Sequence, residues 1–357
     1  MPQRKAPRSQ KAKEFGKSLK LRHKSANPLP PILPLRYPSA MQTPVLTVTP
    51  HGLYCPDGDF HIDPHRAVPR ALITHGHSDH AYSGHAHYLA THQALPVIRH
   101  RLGRITADGI AYNTPLQING VMVSFHPAGH VPGSAQIRIE RAGEVWVVSG
   151  DYKTDPDGLS EPFAPVLCHT FITECTFGLP IFQWRPDREI LTDIAHWWHA
   201  NVAARKISVL AAYSFGKAQR LIHDIPPQGP IFTHPAVEAT TQILRDQGYP
   251  IPQTTCVPPD QIPPDALLVA PPNALSGTWA QALPPHATAF ASGWMTLAAR
   301  RKAVQTAFTL SDHADWPGLN RAITATGASH VITTHGYTKP FAEYLSTQGL
   351  DAEELQP

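Results

Sequence analysis

The chain has 357 residues, enough for a sizeable hydrophobic core and for two domains. Hydrophobic residues make up 42% of it, as in globular proteins, and the absence of any long uninterrupted apolar run excludes a membrane-spanning protein. The formal charge of +3 is unevenly distributed, because residues 1–24 carry nine Lys or Arg against one acid while the remainder carries 21 against 26.

Residues 1–43 are basic and then rich in proline, with no sustained apolar periodicity, so we expect a disordered arm. A mildly acidic body with a basic arm is one way to approach a polyanion such as nucleic acid. An ordinary disordered extension or a cationic targeting peptide has the same composition, although the arm lacks the apolar segment of a secretory signal. The sequence leaves these interpretations open.

Strand signals begin at residues 44–48 and continue to 71–73, an apolar run that leads into Thr74-His75-Gly76-His77-Ser78-Asp79-His80. His75 and His77 alternate on an extended backbone and can reach one metal ion. Asp79 and His80 lie past a turn and can reach a second ion. Three imidazoles and a carboxylate suit zinc or manganese rather than calcium. Histidines gathered by chance in a solvated loop are the alternative.

Two later apolar segments show the same order of features, namely an expected strand, then a small residue, then a possible metal ligand. A helical or irregular stretch is expected through residues 88–91, and strands are expected at 121–125 and 145–149. His130 and Asp151 follow these two strands, each directly after a glycine. We expect them to complete two coordination spheres, with Asp151 bridging the ions.

Asp63 follows an apolar residue and precedes Pro64, as at the end of a strand. Its carboxylate is placed to hydrogen-bond a metal-binding histidine and fix its tautomer. A lone aspartate before proline is equally typical of a turn.

From about Gly178 the pattern changes to an alternation of strands and helices, which predicts a separate α/β unit inserted in the first domain. Helices are expected over 188–205 and 236–247, and strands near 207–210, 230–232 and 266–269. Strand-to-loop patterns resume at 289–293. The expected class is α+β, with domain segments 44–180, 181–288 and 289–357.

The order H-x-H-x-D-H resembles the signature of the metallo-β-lactamase superfamily, whose later ligands match His130 and Asp151. The resemblance narrows to the β-CASP nucleases, in which an acid and two histidines follow. Those positions are Glu174, His313 in Ser-Asp-His-Ala-Asp, and His335 in Thr-His-Gly. The segments 213–219 and 292–295 look closer still to bacterial ligase-associated DNA exonucleases. The resemblance covers roughly residues 44–350 and implies an αββα sandwich with an inserted α/β β-CASP cap domain.

The resemblance also implies a site with two divalent ions, zinc first and manganese second. The expected ligands of one ion are His75, His77 and His130, those of the other are Asp79, His80 and His335, and Asp151 is shared. Asp79, Glu174 and His313 form the expected catalytic group, in which His313 is the general acid and Glu174 orients it. A purely structural Glu174–His313 pair is the alternative.

Three further residues, Ser214, Lys217 and Ser292, are candidate contacts for a substrate phosphate. Ser214 and Lys217 open an expected helix whose amino end can face a phosphate. They also match S-x-x-K of serine β-lactamases, but no companion motif accompanies it, so the match is taken as coincidence. A plain helix start is an equally good explanation.

The function expected from the resemblance is a metal-dependent DNA exonuclease, acting 5′→3′ in DNA repair beside a DNA ligase and a helicase. An RNA-processing β-CASP ribonuclease is the alternative, because DNA-directed relatives commonly have valine where this chain has His335. A small-substrate metallo-hydrolase ranks below both. Four cysteines without a C-x-x-C pair fit buried thiols in a reducing cytoplasm.

Overall fold

The computed structural model describes residues 43–356, so the arm expected over 1–43 lies outside the described residues except for Thr43. A first sheet contains the strands β1 to β6 in that spatial order: Thr47–Thr49, Gly52–Cys55, Phe60–Ile62, Arg70–Leu72, His87–Thr91 and Ala107–Ile110. Strands β1 to β3 run antiparallel, and β3 to β6 run parallel. Helix α1 (Leu95–Leu102) connects β5 and β6.

The helical or irregular conformation expected through residues 88–91 is wrong. His87–Thr91 is strand β5, which pairs in parallel with β4 on one side and β6 on the other. All but the first residue of this strand is buried, so neither face shows the polar alternation of a half-exposed strand. A short apolar run of this kind cannot be assigned from periodicity alone.

A second sheet begins with the strands β7 to β11: Leu116–Ile118, Val121–Pro127, Ala135–Arg141, Glu144–Val148 and Thr170–Cys175. Strands β7 to β10 pair antiparallel, and β10 and β11 pair in parallel. Strand signals at 121–125 and 145–149 are thus confirmed as β8 and β10.

A third sheet follows, built from the all-parallel strands β12 to β16: Ile207–Ala211, Ile231–Thr233, Leu267–Ala270, His286–Ala291 and Thr306–Phe308. Its helices are α2 (Asp187–Ala203), α3 (Lys217–Asp224), α4 (Pro235–Asp246), α5 (Thr278–Gln281) and α6 (Ala298–Lys302). The expected strand and helix alternation is confirmed. The boundary expected at residue 288 falls within β15, and the sheet extends through β16 to Phe308.

Helix α2 illustrates how the sequence produces these helices. Asp187 and Glu189 in its first turn favour a helix amino end. Ile190, Ile194 and Trp198 recur at helical spacing and are buried against the third sheet.

The chain then returns to the second sheet with β17 (His330–Gly336) and β18 (Asp351–Glu354), accompanied by helices α7 (Trp316–Thr326) and α8 (Thr338–Thr347). Strand β17 pairs in parallel with β11, so the third sheet is inserted between two strands that are neighbours. The carboxyl ends of β11 and β17 therefore lie side by side, at the edge where ligands usually bind.

Apolar side chains from the first and second sheets form one shared core. Phe60 and Leu72 from the first sheet belong to the same cluster as Phe125, Ile137 and Ile172 from the second. Helix α1 packs on the other face of the first sheet, and α7 and α8 pack on the other face of the second. The mixed composition confirms the expected α+β class.

None of the helices within residues 43–356 is both long and apolar enough to cross a membrane. The four cysteines are free thiols, and Cys55, Cys168 and Cys175 are buried, as expected. Cys256 is exposed.

Candidate metal centre

A cavity of about 740 Å³ collects most of the residues that the motifs identified. Its wall includes His77, Asp79, His130, Asp151, His313 and His335 from the loops and strand ends of the first two sheets, and Tyr213, Ser214, Phe215, Lys217, Ser292 and Trp294 from the inserted unit.

Three imidazoles meet beside Asp151. His77 Nδ1 lies 3.0 Å from His75 Nε2 and 3.1 Å from His130 Nε2. Asp151 Oδ2 lies 3.6 Å from the Nε2 atoms of both His75 and His130. One donor atom from each of the four residues falls within 4.8 Å of all the others.

Backbone carbonyls fix the tautomers of two of these histidines. Asp312 O lies 2.8 Å from His130 Nδ1, and Phe215 O lies 3.2 Å from His77 Nε2. Because a carbonyl oxygen only accepts, the ring nitrogen facing it must carry the proton in each case. The opposite nitrogen of each neutral ring then presents a lone pair to the cluster.

The Thr74 hydroxyl fixes the tautomer of the third histidine, His75. Thr74 Oγ1 donates to Asp63 Oδ2 at 2.6 Å, so it can accept from His75 Nδ1 at 3.1 Å. His75 Nε2 then also directs a lone pair into the cluster. Burial lowers the pKa of His75, as it does for His77 and His130, so the rings are neutral.

The His77 lone pair faces the lone pairs of His75 and His130 at 3.0 Å and 3.1 Å with no proton between them, and a cation would satisfy all three. Tetrahedral zinc with nitrogen ligands at about 2.0–2.1 Å requires ligand nitrogens about 3.3 Å apart. The four-residue group therefore fits a zinc-sized ion in donor type, spacing and protonation.

His80 extends the donor set on the other side of Asp151. Its Nδ1 lies 2.8 Å from Asp63 Oδ2, and its buried Nε2 has no hydrogen-bond partner within residues 43–356. Asp151 Oδ1 is 3.4 Å from that Nε2 atom. Burial alone would lower the pKa of His80, but Asp151 and Asp63 raise it well above the ordinary value. A cation bound between His80 Nε2 and the Asp151 carboxylate would take the place of the proton on that nitrogen.

Asp63 therefore does more than form a turn. Its φ of +43° is the left-handed conformation typical of Asp and Asn in turns, and its carboxylate also accepts from the backbone N–H of Thr74 at 2.8 Å. The structure brings Asp63 to His75 through Thr74 and to His80 directly.

Asp79 and His335 line the cavity but are exposed, and within residues 43–356 neither joins a group of donors within 4.8 Å. His335 stacks on His80 with ring centroids 5.2 Å apart. The structure thus brings together the donors expected for one ion and places those of the second around the same opening.

Glu174 and His313 form a direct pair. His313 Nδ1 lies 2.9 Å and 3.0 Å from the two carboxylate oxygens of Glu174, which also accepts from the backbone N–H of Tyr152 at 2.7 Å. Burial alone would lower the pKa of His313, but Glu174 and Asp151 raise it to about 9. His313 Nε2 has no protein partner within the described part of the chain, and the ring lines the cavity.

The structure gives Lys217 a role that differs from contact with a substrate phosphate. Its ammonium is buried and bonds Leu310 O at 2.9 Å and Asp312 Oδ2 at 3.1 Å. Protein groups therefore engage two of its three N–H donors, and the side chain also lines the cavity, so contact with a phosphate stays a prediction. Ser214 and Ser292 do line the cavity, where Ser292 Oγ also accepts from the backbone N–H of Trp294 at 3.3 Å.

Sequence patterns do not identify Thr74, Phe215 or Asp312, which contact the ring nitrogens of the clustered histidines. Asp312 directly precedes His313, and an acid beside an expected proton donor is a signal by which the sequence could have identified it. Phe215 could not be found from the sequence, because it acts through its backbone carbonyl.

The chain is similar to proteins with names from nucleic-acid metabolism. It is 31% identical over 308 residues to a protein of Opitutus terrae named a probable DNA ligase, a match covering 85% of this chain and 30% of that protein. A stretch of 117 residues, 32% of this chain, is 29% identical to endoribonuclease YSH1 of Saccharomyces cerevisiae and covers 15% of it. Subunit 3-I of the cleavage and polyadenylation specificity factor of Arabidopsis thaliana is 30% identical over 119 residues, 32% of this chain and 16% of that protein.

The chain thus spans less than a third of the length of these curated relatives. No family model matches it. The fold is similar to that of a protein of unknown function from Enterococcus faecalis V583, with a TM-score of 0.55, 12% identity and coverage of 81% of this chain and 79% of that one. The sequence similarities to the ligase-named protein and the endoribonucleases, with the H-x-H-x-D-H motif and the later histidines in order, are those of a β-CASP nuclease, the family that the motifs indicated.

Proposed function

We propose that this chain is a metal-dependent nuclease that hydrolyses phosphodiester bonds in DNA as an exonuclease, from the 5′ end. One observation carries the proposal. Three imidazole lone pairs and the Asp151 carboxylate converge in a cavity that also holds the Glu174–His313 pair.

The proposed site holds two divalent ions, zinc by preference and manganese as the second choice. His75, His77 and His130 would bind one ion, and Asp79, His80 and His335 the other, with Asp151 shared. When bound, such a pair of ions lowers the pKa of a water for attack on phosphorus and neutralises the phosphoryl oxygens. Asp63 and Thr74 orient the histidines on which both ions depend.

His313 is the proposed proton donor to the leaving oxygen. Its Nδ1–H is directed to Glu174, so the proton available to a substrate is the one on Nε2, which has no protein partner. A pKa of about 9 keeps the ring protonated at neutral pH, as a general acid requires. Glu174 holds the ring in place and stabilises its charge.

The substrate would enter along a wall that carries both charge and aromatic surface. Arg101 lines the cavity and donates to Gly76 O at 2.6 Å, which leaves it at the rim of the metal-binding loop. Tyr213 lies on the opposite, inserted unit and is 61% exposed. Exposed aromatic rings beside a phosphate site are suited to stacking on unpaired bases.

We infer that the first two sheets and the helices outside them form the αββα sandwich, and that the inserted unit is a β-CASP cap. The shared core between the sheets supports the sandwich. The pairing of β15 and β16 extends the proposed cap from about residue 181 to Phe308. A cytoplasmic location is part of the same proposal.

A role in DNA repair beside a DNA ligase, and with a helicase of the same pathway, rests on one relative. The Opitutus terrae protein named a probable DNA ligase contains a segment similar to 85% of this chain. A nuclease and a ligase joined in one protein would trim and seal the same ends.

RNA processing is the second candidate, supported by the endoribonuclease relatives and by the histidine at position 335. Those matches cover 32% of the chain, whereas the ligase-named relative matches across the inserted unit as well. A small-substrate hydrolase ranks third, because it would need neither the inserted unit nor His313.

The decisive experiment offers 5′-labelled and 3′-labelled single-stranded DNA, duplex DNA and RNA to the full chain with zinc or manganese. Stepwise release of nucleotides from the 5′ end of DNA is expected, and Asp151→Asn should abolish it. Faster cleavage of RNA than of DNA would replace the first proposal by the second. Cleavage by the Asp151→Asn variant at the same rate would reveal a contaminating nuclease.

A further inference from the structure

A buried pair of cations on helix α3 contacts the segment that leads to His313. Lys217 and Arg220 lie three residues apart, on one face of the helix. Arg220 is 1% exposed, and its Nη1 atom donates to Ser311 O at 2.8 Å and to Asp312 Oδ1 at 3.1 Å. Lys217 Nζ donates to Leu310 O at 2.9 Å and contacts Asp312 Oδ2 at 3.1 Å.

These contacts determine the position of three consecutive residues. The two cations bind both carboxylate oxygens of Asp312 and the carbonyls of Leu310 and Ser311. Arg220 Nη2 also contacts Asp187 in α2, so the guanidinium is held on its other side as well. The planar fork of an arginine fixes such a geometry more rigidly than an apolar side chain of similar volume does.

The same segment supports two elements of the candidate site. The backbone carbonyl of Asp312 accepts from His130 Nδ1 at 2.8 Å and thereby turns the His130 lone pair towards the metal position. The next residue is His313, whose ring contacts that of His130 at 4.6 Å between centroids. A displacement of this backbone by a fraction of an ångström would change the direction of both rings.

We propose that Arg220, assisted by Lys217, is a positioning residue, through which the inserted unit sets the metal ligand His130 and the proton donor His313. The inference rests on the proposed metal-dependent function but concerns residues that touch neither metal nor substrate. The inserted unit would then be part of the catalytic apparatus as well as a wall for substrate.

The test compares Arg220→Met and Arg220→Lys with a matched control, Arg245→Met. Arg245 is a largely buried arginine of the same unit that contacts the Glu238 carboxylate at 2.8 Å and the Ile251 carbonyl at 3.2 Å, all away from the cavity. Zinc affinity is measured by competition with a chelator, on the folded full chain, together with thermal melting and with kcat and KM on labelled DNA.

We expect Arg220→Met to weaken zinc binding by about ten-fold or more, as for removal of other groups that orient metal ligands, and to lower kcat with little change in KM. Arg220→Lys should restore part of both losses. Arg245→Met should lower the melting temperature while leaving zinc affinity within about two-fold of the parent. If Arg220→Met behaves like Arg245→Met, the arginine is merely structural and the proposal is refuted.

Asp312→Asn keeps Arg220 and the local volume, so it decides the question in the same assays should Arg220→Met not fold. A ten-fold loss of zinc affinity supports the proposal, and an unchanged affinity refutes it. Failure of the proposed function is distinguishable, because a chain that cuts no nucleic acid still reports the effect of each substitution on zinc binding.

Discussion

Replacing Glu174 by glutamine tests whether the Glu174–His313 pair takes part in chemistry. Glutamine has the same shape, and its Oε1 can still accept from the Tyr152 N–H and from His313 Nδ1. Its Nε2 can donate to Thr176 Oγ1, because a hydroxyl accepts as readily as it donates. The substitution therefore removes a negative charge, together with the long 3.4 Å hydrogen bond that Glu174 Oε2 accepts from the backbone N–H of Thr176.

The expected magnitude follows from the pKa of His313. The pKa of about 9 exceeds the ordinary 6.5 of histidine, despite burial, because of the Glu174 and Asp151 carboxylates. The difference corresponds to about 3 kcal/mol in favour of the imidazolium. Removing one of the two carboxylates should lower the pKa of His313 by about one to two pH units.

A general acid works only when protonated, so activity is lost as pH rises through the pKa of His313. Glu174→Gln should move this alkaline limb to lower pH. The expected loss of kcat is about two- to ten-fold at pH 8 and negligible at pH 6. Bound divalent ions would lower the pKa of His313 in the parent and in Glu174→Gln alike. The prediction therefore concerns the difference between the pH profiles of kcat for these two proteins.

The assay is the pH dependence of kcat on labelled DNA at saturating metal, with His313→Ala measured alongside. His313→Ala should lower kcat by about 10²- to 10⁴-fold and abolish the limb while retaining bound zinc. An equal loss for Glu174→Gln at pH 6 and pH 8 would refute the reasoning, since a structural pair would be disturbed regardless of pH.

Three further outcomes are expected. Asp63→Asn should weaken metal binding by about ten- to hundred-fold in a chelator competition, because the carboxylate orients His80 directly, and unchanged affinity would contradict that role. Tyr213→Ala should raise KM for single-stranded DNA by about five- to a hundred-fold. Tyr82 is also exposed but does not line the cavity, so Tyr82→Ala should leave KM unchanged, and equal effects of the two substitutions would exclude stacking at Tyr213. Deleting residues 1–40 should reduce the slope of log affinity against log salt by about two or more without changing turnover of short substrates, and an unchanged slope would make the arm an ordinary extension.

The clustering of four candidate metal ligands could be predicted because short motifs encode their positions. His75 and His77 lie two residues apart, and His130 and Asp151 each follow a strand and a glycine, so local geometry and strand order suffice to bring them together. The same reasoning anticipated the alternation of strands and helices that forms the third sheet.

Contacts between distant segments could not be predicted in this way. From the sequence, Lys217 is expected to be a free cation at the start of a helix. In the structure it is paired with Asp312, which is distant in the sequence. From the sequence, Asp63 is equally well explained as a turn residue. In the structure its carboxylate contacts His80. Strand β5 was not predicted because both its faces are buried. Its sequence therefore lacks the alternation of apolar and polar residues that is typical of a half-exposed strand. In each case the deciding partner is supplied by the tertiary fold.

The insertion point of the third sheet has a consequence for the order of assembly during synthesis. Thr170 in β11 pairs with His330 in β17, 160 positions later, so the edge of β11 stays open until the intervening unit has been made. Closing a flexible loop of that length costs about 4–5 kcal/mol in chain entropy, and prior folding of the inserted unit shortens the loop. Strand β17 also carries His335, and His313 lies 17 residues before the first residue of this strand, so a growing chain acquires His75, His130 and Asp151 long before the proposed proton donor. The proposed site is therefore completed only after the inserted unit has been made, because Asp312, whose carbonyl accepts from His130, and His313 both follow that unit in the sequence.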